Sequence, residues 1–372
     1  MKLEEFYVET WMTDHENDCL YNLTDTCVTC MSLNELQQLC NNNIIDDLMN
    51  IRVDYGPIVG SNRLKNAVLG LYETGSIDNL TMTTGAINAN ELVLMTLLNP
   101  GDSVLTMLPT YQQLYSFPAS LGCSVDFVEL KEEDNWLPNI EDFKNKVSKK
   151  TKLICLNSPN NPTGTFITKQ LMLEIIDIAK ENDCYILCDE VYRGTIDGKL
   201  TYSVSDLYDK AITTGSLSKV FSFAGLRLGW VKGPKEIIDL INYRRDYHII
   251  CNGPIDDYLA SVILENKDLI LKRSEQICIE NKSYLKEWLK TETHMSCVVP
   301  EYGTVGFLKY DLPLSSIEFC ERLQKEEGIF FVPGSCFNKE NHVRFGFGND
   351  PQTVKKGLAV LSRWLKQFDE VA

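Results

Sequence analysis

From about residue 80 to residue 233 the chain repeats one rhythm: a short apolar run rich in β-branched residues, a polar or glycine-bearing turn, then an amphipathic stretch. The apolar runs are Ser103–Leu108, Val125–Leu130, Leu153–Leu156, Tyr185–Cys188, Ala211–Thr214 and Leu228–Val231. Most are continuous rather than alternating, as expected of strands buried on both faces. Stretches between them, such as Thr168–Asn182 with its 3.6-residue apolar spacing, read as crossover helices on the faces of a mostly parallel sheet. The fold class is therefore α/β. In such sheets ligands collect beyond the carboxyl ends of the strands. Three chemically suggestive segments fall there: Asn157–Thr165, Asp189–Arg193 and Ser216–Lys219.

After Gly233 the rhythm changes to α+β. A long helical pattern runs over Pro234–Asn266 and on over Leu269–Lys290, followed by strand-like runs at Thr304–Tyr310 and Ile329–Val332. We expect a large domain over residues 51–262 and a smaller α+β domain built from both chain ends, residues 1–50 and 263–372.

Composition removes several function classes. The chain has 372 residues, 44% hydrophobic and 24% charged, with a net charge of -16 spread along its length. That balance is globular, and the basic footprint of a nucleic-acid binder is missing. The acidic N-terminal stretch does not resemble a signal peptide, and no apolar run of about 18 residues occurs, so a membrane partner is not expected. Thirteen cysteines, scattered through apolar segments, suit buried thiols in the cytoplasm better than a disulfide framework. Cys27 and Cys30 form a C-x-x-C without a second Cys/His pair to complete a zinc site, and they read as structural. The four histidines, His15, His248, His294 and His342, lie far apart without metal spacing, so no metal is expected. Neither a dinucleotide fingerprint nor a P-loop is present.

The segment Gly215–Gly229, GSLSKVFSFAGLRLG, is the richest in chemistry. Lys219 in apolar, serine-bearing surroundings is expected to have a lowered pKa, as an imine-forming amine needs. Ser216 offers a hydroxyl and Arg227 a fork of donors suited to a phosphate, while Gly225 and Gly229 let the backbone turn closely around that arginine. Together they suit a phosphate-bearing carbonyl compound held covalently.

This segment resembles the lysine signature of class I/II aminotransferases, the fold-type I pyridoxal-phosphate enzymes, in the form S-x-S-K followed by G-x-R-x-G. Other motifs of the family recur in order: Thr84-Gly85-Ala86-Ile87, Pro109–Tyr115, the N-P-T-G turn Asn161–Gly164, Asp189-Glu190-Val191-Tyr192 and Val343-Arg344-Phe345. The resemblance covers Tyr55 to Arg344. It implies a seven-stranded, mostly parallel sheet and pyridoxal 5'-phosphate bound to Lys219 as a Schiff base. It further implies that Asp189 holds the pyridine nitrogen protonated, and that Tyr192 and Asn161 donate to the phenolic oxygen. Gly85, Ala86, Ile87, Ser216, Ser218 and Arg227 would cradle the phosphate, and Tyr111 would stack on the ring. Arg344, with Asn161, would take the substrate carboxylate. Tyr55 would reach the neighbouring subunit's site in a homodimer.

The implied reaction moves an amino group between an L-amino acid and a 2-oxo acid. The same lysine, aspartate and arginine would also serve a C–S or β-lyase, or a cyclising enzyme of the capreomycidine-synthase kind. An aminotransferase-like ligand-sensing module is the alternative outside catalysis, disfavoured because the length leaves no room for a separate DNA-binding domain.

Overall fold

Residues 2–369 are described by the computed structural model. Seven strands form its central sheet: Leu80–Thr83 (β1), Ser103–Leu108 (β2), Ser124–Glu129 (β3), Thr151–Asn157 (β4), Tyr185–Asp189 (β5), Ala211–Ser216 (β6) and Gly229–Lys232 (β7). Their lateral order is β1-β7-β6-β5-β4-β2-β3. Strands β2 to β6 pair in parallel, and β7 runs antiparallel to both of its neighbours. The sheet is thus mixed, with one reversed strand. The chain leaves β2 for the outer β3 and returns to β4 on the other side of β2. That reversal is a topological switch point, where an α/β sheet opens a crevice.

The two-residue period of the strands explains their continuous apolar runs. Leu153, Cys155, Leu187 and Ile212 face the helix Gly85–Leu97, sharing a core with its Leu92, Val93 and Leu94. Ile154, Leu156, Ile186 and Cys188 face the other way, onto Met172, Ile175, Ile176 and Ala179 of the helix Lys169–Asn182. Thr168 caps that helix, its Oγ1 accepting from the Leu171 amide at 3.3 Å. Among the described residues, no helix is long and apolar enough to cross a membrane.

Three elements depart from the sequence reading. β1 is a strand that its alternating threonines conceal, and both threonines are buried because their hydroxyls are satisfied. Thr81 donates to Asn242 Oδ1 at 2.6 Å and Thr83 to the Gly85 carbonyl at 3.0 Å. The pattern over 234–266 is two helices, Lys235–Arg245 and Pro254–Glu265. Gly253-Pro254 starts the second, since a residue before proline is pushed out of the helical region. The run Ile329–Val332 is shared between two sheets. Ile329–Phe330 pairs in parallel with Tyr21–Asn22, whereas Val332–Pro333 joins a four-stranded sheet with Met295–Cys297, Val305–Tyr310 and His342–Gly346.

The N-terminal helix Tyr7–His15 is tied on two sides. Trp11 Nε1 donates to the Phe331 carbonyl at 2.9 Å. The Tyr7 amide donates to Gln112 Oε1 at 2.9 Å while Gln112 Nε2 donates to the Glu5 carbonyl at 2.7 Å. One face of this helix therefore walls the space beyond the carboxyl ends of the central strands.

Candidate active site

Two of the predicted residues, Asp189 and Ser216, owe their place to strand endings, as does their neighbour Asn157. Asn157, Asp189 and Ser216 are the last residues of β4, β5 and β6. Register sets Asn157 beside Asp189, Asp189 beside Thr214, and Ser216 beside Gly229. Beyond these ends lies a cavity of about 580 Å³, within the range of small-molecule sites. Ala86, Ile87, Tyr111, Asn161, Asp189, Tyr192, Ser216, Ser218, Lys219, Arg227 and Arg344 all line it. Gly85 does not line it but packs against Arg227, which does. Tyr55 does not line it: its side chain is 76% exposed on the outside of the chain.

A close backbone approach builds one end of the cavity. Gly85 has φ +74°, and a Cβ there would lie 2.8 Å from Arg227 Nη2; a Cβ on Gly229 would lie 2.5 Å from the Gly85 carbonyl carbon and 2.8 Å from the Ala86 nitrogen. Only glycine fits either position. Arg227 is itself at φ +49°, held by Nη1 donating to the Ala224 carbonyl at 2.9 Å. The first amides of the helix Gly85–Leu97 thus converge with the Ser216 and Ser218 side chains and a guanidinium, a donor set suited to a phosphate.

Asp189 is buried, and burial pushes its carboxyl above the usual range. Opposing that, Asn90 Nδ2 donates to Oδ2 at 2.8 Å and the Val191 amide donates to Oδ1 at 3.1 Å, with Lys219 adding a favourable charge. Asn90 is fixed in turn by Thr214, whose hydroxyl donates to its Oδ1 at 2.7 Å. Sequence reasoning missed Asn90. The available signal is an amide within the apolar stretch Ala89–Leu97, where a buried polar group must find a partner.

Lys219 Nζ donates to Thr26 Oγ1 at 2.6 Å and lies 3.9 Å from Cys27 Sγ and 5.9 Å from the centre of the Tyr192 ring. The expected lowering of its pKa is overturned here. Burial opposes the charge, but Tyr192, Cys27 and Asp25 outweigh it and hold the ammonium above its ordinary value. Burial also raises the Tyr192 hydroxyl, against the pull of Lys219 and Arg344, and pushes the Cys27 thiol up to about 11. Thr26 and the C-x-x-C residues lie on the cavity wall. Nothing local in the N-terminal sequence signals that position, because long-range contacts set it. The Thr304 hydroxyl donates to the Thr26 carbonyl at 2.6 Å, and the Val28 amide to the Lys219 carbonyl at 3.1 Å. Among the described residues, no cluster of three or more His, Cys, Asp or Glu could hold a metal.

The two asparagines of the turn divide their labour. Asn160 is consumed by structure, donating to the Pro109 carbonyl at 3.0 Å and accepting from Thr110 Oγ1 at 2.8 Å. Asn161 is only 3% exposed, yet among the described residues its Oδ1 has no hydrogen-bond partner, and its side chain lines the cavity. Tyr111 tilts against Phe6 with ring centres 5.2 Å apart, and its hydroxyl donates to Glu9 Oε1 at 3.4 Å. Arg344, in the strand His342–Gly346, is buried; its Nε donates to Thr24 Oγ1 at 3.2 Å. Among the described residues, no carboxylate pairs with its guanidinium within 4.0 Å, although Arg344 lowers the Glu16 carboxyl electrostatically.

The sequence profile of the family described as aminotransferase class I and II matches residues 16–361. The chain belongs to that family. It is 38% identical to a solved PLP-dependent aminotransferase from Streptococcus suis, with 99% of both chains covered and a TM-score of 0.96. Among curated proteins it is 26% identical over 312 residues to capreomycidine synthase of Streptomyces vinaceus, covering 83% of this chain and 80% of that one. It is 28% identical over 286 residues to the aspartate aminotransferase of Thermotoga maritima, covering 76% and 74%. This aminotransferase is an enzyme of the α/β fold type I, and its cofactor is pyridoxal phosphate. The glycine cradle beside Arg227, and the buried Asp189 and Lys219 side chains on the cavity wall, fit that group.

Proposed function

We propose that this aminotransferase moves an amino group between an L-amino acid and a 2-oxo acid, with Lys219, Asp189 and Tyr192 as its catalytic residues. The observation that carries the reading is the placement of Lys219, Asp189 and Arg344 on one cavity wall system. Bound pyridoxal phosphate supplies an electron sink for the bond broken at the substrate Cα. Gly85, Ala86, Ile87, Ser216, Ser218 and Arg227 hold its phosphate, and Tyr111 covers its ring. Asp189, steadied by Asn90, keeps a proton on the ring nitrogen. Tyr192 and Asn161 bind its phenolic oxygen. Arg344 and Asn161 orient the substrate carboxylate, so that one Cα hydrogen faces Lys219, whose Nζ carries that proton.

Several further readings have specific support. A homodimer with Tyr55 reaching the neighbouring site is favoured by exposed apolar side chains on two adjacent segments: Met49, Val53, Tyr55 and Ile58, and Tyr243, Tyr247 and Ile250. Arg245 joins the segments by donating to the carbonyls of Ile58 and Ile250, and a patch of that kind suits an interface. Buried thiols such as Cys155, Cys188 and Cys320 favour the cytoplasm. A large unit over 51–262 and a smaller one from 1–50 and 263–372 suits the core around the four-stranded sheet, whose residues all come from the two chain ends, while Val8, Phe307 and Phe330 of those ends join the core around the seven-stranded sheet. The likeness to capreomycidine synthase favours a second outcome, cyclisation or elimination, at the same residues.

Incubation of the holoenzyme with single amino acids and a panel of 2-oxo acids tests the reading. A new amino acid formed from the oxo acid is the expected result. Pyruvate and ammonia without an acceptor, or a cyclised amino acid, would replace transamination with the second outcome. Borohydride reduction of the Lys219→Ala variant is expected to leave no cofactor attached to the chain.

A further inference from the structure

The charges of the cavity are unevenly arranged. Apart from Arg227 and Asp189, which the cofactor reading uses, Arg344 and Lys219 share its walls with three further acids, Glu9, Glu16 and Asp25. Glu9, Met12 and Glu16 stand on one face of the N-terminal helix and its cap, at spacings of three and four residues, which is the spacing that brings side chains into line. Asp25 arrives from the loop that packs on the Arg344 strand, where a Cβ on Gly346 would lie 1.8 Å from the Asp25 carbonyl oxygen. The three acids are held by two separate elements and still meet in one space.

Their protein partners do not account for them. Glu9 accepts from the Tyr111 hydroxyl, and Asp25 Oδ1 accepts from the Cys27 amide at 2.9 Å. Among the described residues, the Glu16 carboxylate has no hydrogen-bond partner, and none of the three acids makes an ion pair within 4.0 Å. Burial raises the Glu16 carboxyl, and Asp25 and Glu9 raise it further, while Arg344 and Lys219 pull it down. The three acids line the same cavity as Lys219 and Arg344, so whatever those two residues hold lies within reach of them.

An amino acid bound with its α-carboxylate on Arg344 sends its side chain into this acidic space. A carboxylate side chain meets three like charges there. An apolar one leaves them partly desolvated and uncompensated. A cation at the end of several methylenes neutralises them and lies along the Met12 side chain. We infer that the amino donor is an L-amino acid with a cationic side chain, guanidinium or ammonium, recognised by Glu16 with Asp25 and Glu9 while Arg344 holds the α-carboxylate. This inference rests on the aminotransferase reading of the site.

The test compares arginine, ornithine and lysine with citrulline, norleucine and glutamate as sole amino acids for the holoenzyme, following the absorbance of the bound cofactor. At least one cationic amino acid is expected to exceed citrulline in kcat/KM by about tenfold or more, the scale of one specific side-chain contact. Arginine above ornithine and lysine assigns a guanidinium; the reverse assigns an ammonium. Glu16→Gln and, separately, Asp25→Asn are expected to reduce the ratio of cationic to norleucine kcat/KM by about tenfold. Citrulline or norleucine matching the cationic series, or glutamate leading it, overturns the inference. If no amino acid alters the cofactor, the aminotransferase reading fails, and calorimetry then decides this inference on its own. δ-Guanidinovalerate, which has both charged ends and no amino group, should bind the holoenzyme at least about tenfold more tightly than heptanoate. Equal affinities for the two would overturn it.

Discussion

Asn90 Nδ2 donates to Asp189 Oδ2 at 2.8 Å, in a pocket where neither residue is more than 3% exposed. Burial raises the aspartate's pKa, and the amide is the largest of the forces that pull it back down. Replacing Asn90 with leucine, similar in bulk, should therefore raise the Asp189 pKa further. A hydrogen bond to a charged group contributes about 1.5–3 kcal/mol, so kcat should fall roughly 10- to 100-fold. The acid limb of the pH–rate profile should move to higher pH. An unchanged profile would mean that Asn90 only fills space.

The difference between Asp189 and Asn90 shows what a sequence reveals of such a site. Asp189, Ser216 and Lys219 close or follow apolar strand runs, so the α/β rhythm already places them at one sheet edge. Ordered motifs added Gly85, Asn161 and Arg344. Asn90 lies inside a helix and reaches Asp189 across 99 positions. Thr26 meets Lys219 across 193 positions. No local period records either contact. Strand β1 escaped notice for a related reason: its threonines look exposed until their tertiary partners are known. The raised Lys219 pKa is not legible for the same reason: Cys27 and Asp25, two of the groups that raise it, come from the distant N-terminal segment.

Glu190 makes stability depend on pH in an unusual direction. Its Oε1 accepts from the Ser203 hydroxyl at 3.1 Å and the Val204 amide at 2.8 Å, but among the described residues Oε2 has no hydrogen-bond partner, and Arg193 Nε is 3.9 Å away from it. Burial raises the carboxyl from 4.5 to about 7. The folded state then binds more protons than the unfolded state between those values. Its contribution to stability is full below the unfolded pKa and is lost as pH rises through 7, amounting to at most about 3 kcal/mol. Urea unfolding at about pH 5.5 and pH 8 should show the loss, and Glu190→Gln should flatten the difference. A variant with the wild-type slope would place the titration elsewhere.

Arg344 separates binding from proton transfer. Its Nε is fixed by Thr24 and its guanidinium plane lies 5.8 Å from the Phe337 ring centre, which orients the fork for two parallel bonds to a carboxylate. Lysine keeps the charge but not the fork. Arg344→Lys should raise KM for the amino acid by roughly 100-fold, equivalent to about 2.7 kcal/mol, with a smaller fall in kcat. Steady-state kinetics with the best amino acid decide this. A change confined to kcat would remove Arg344 from carboxylate binding.

Tyr55 tests the assembly. Its ring is 76% exposed and absent from its own chain's cavity, while Gly56 beside it fits under the Asn252 carbonyl, where a Cβ would lie 2.9 Å away. The turn is therefore fixed with the tyrosine held outward. If that tyrosine serves the neighbouring site, each site of a dimer takes Lys219 from one subunit and Tyr55 from the other. Tyr55→Phe should weaken cofactor retention by roughly tenfold, the cost of one hydrogen bond to a charged group, and Lys219→Ala should abolish activity. Mixing the two variants and allowing subunits to exchange should give hybrid dimers with one site that is wild-type at both positions and one that carries both changes. Activity in the mixture should exceed the average of the separate variants, with retention at the wild-type site restored. A mixture that only averages its parents would mean that Tyr55 acts within its own chain or not at all.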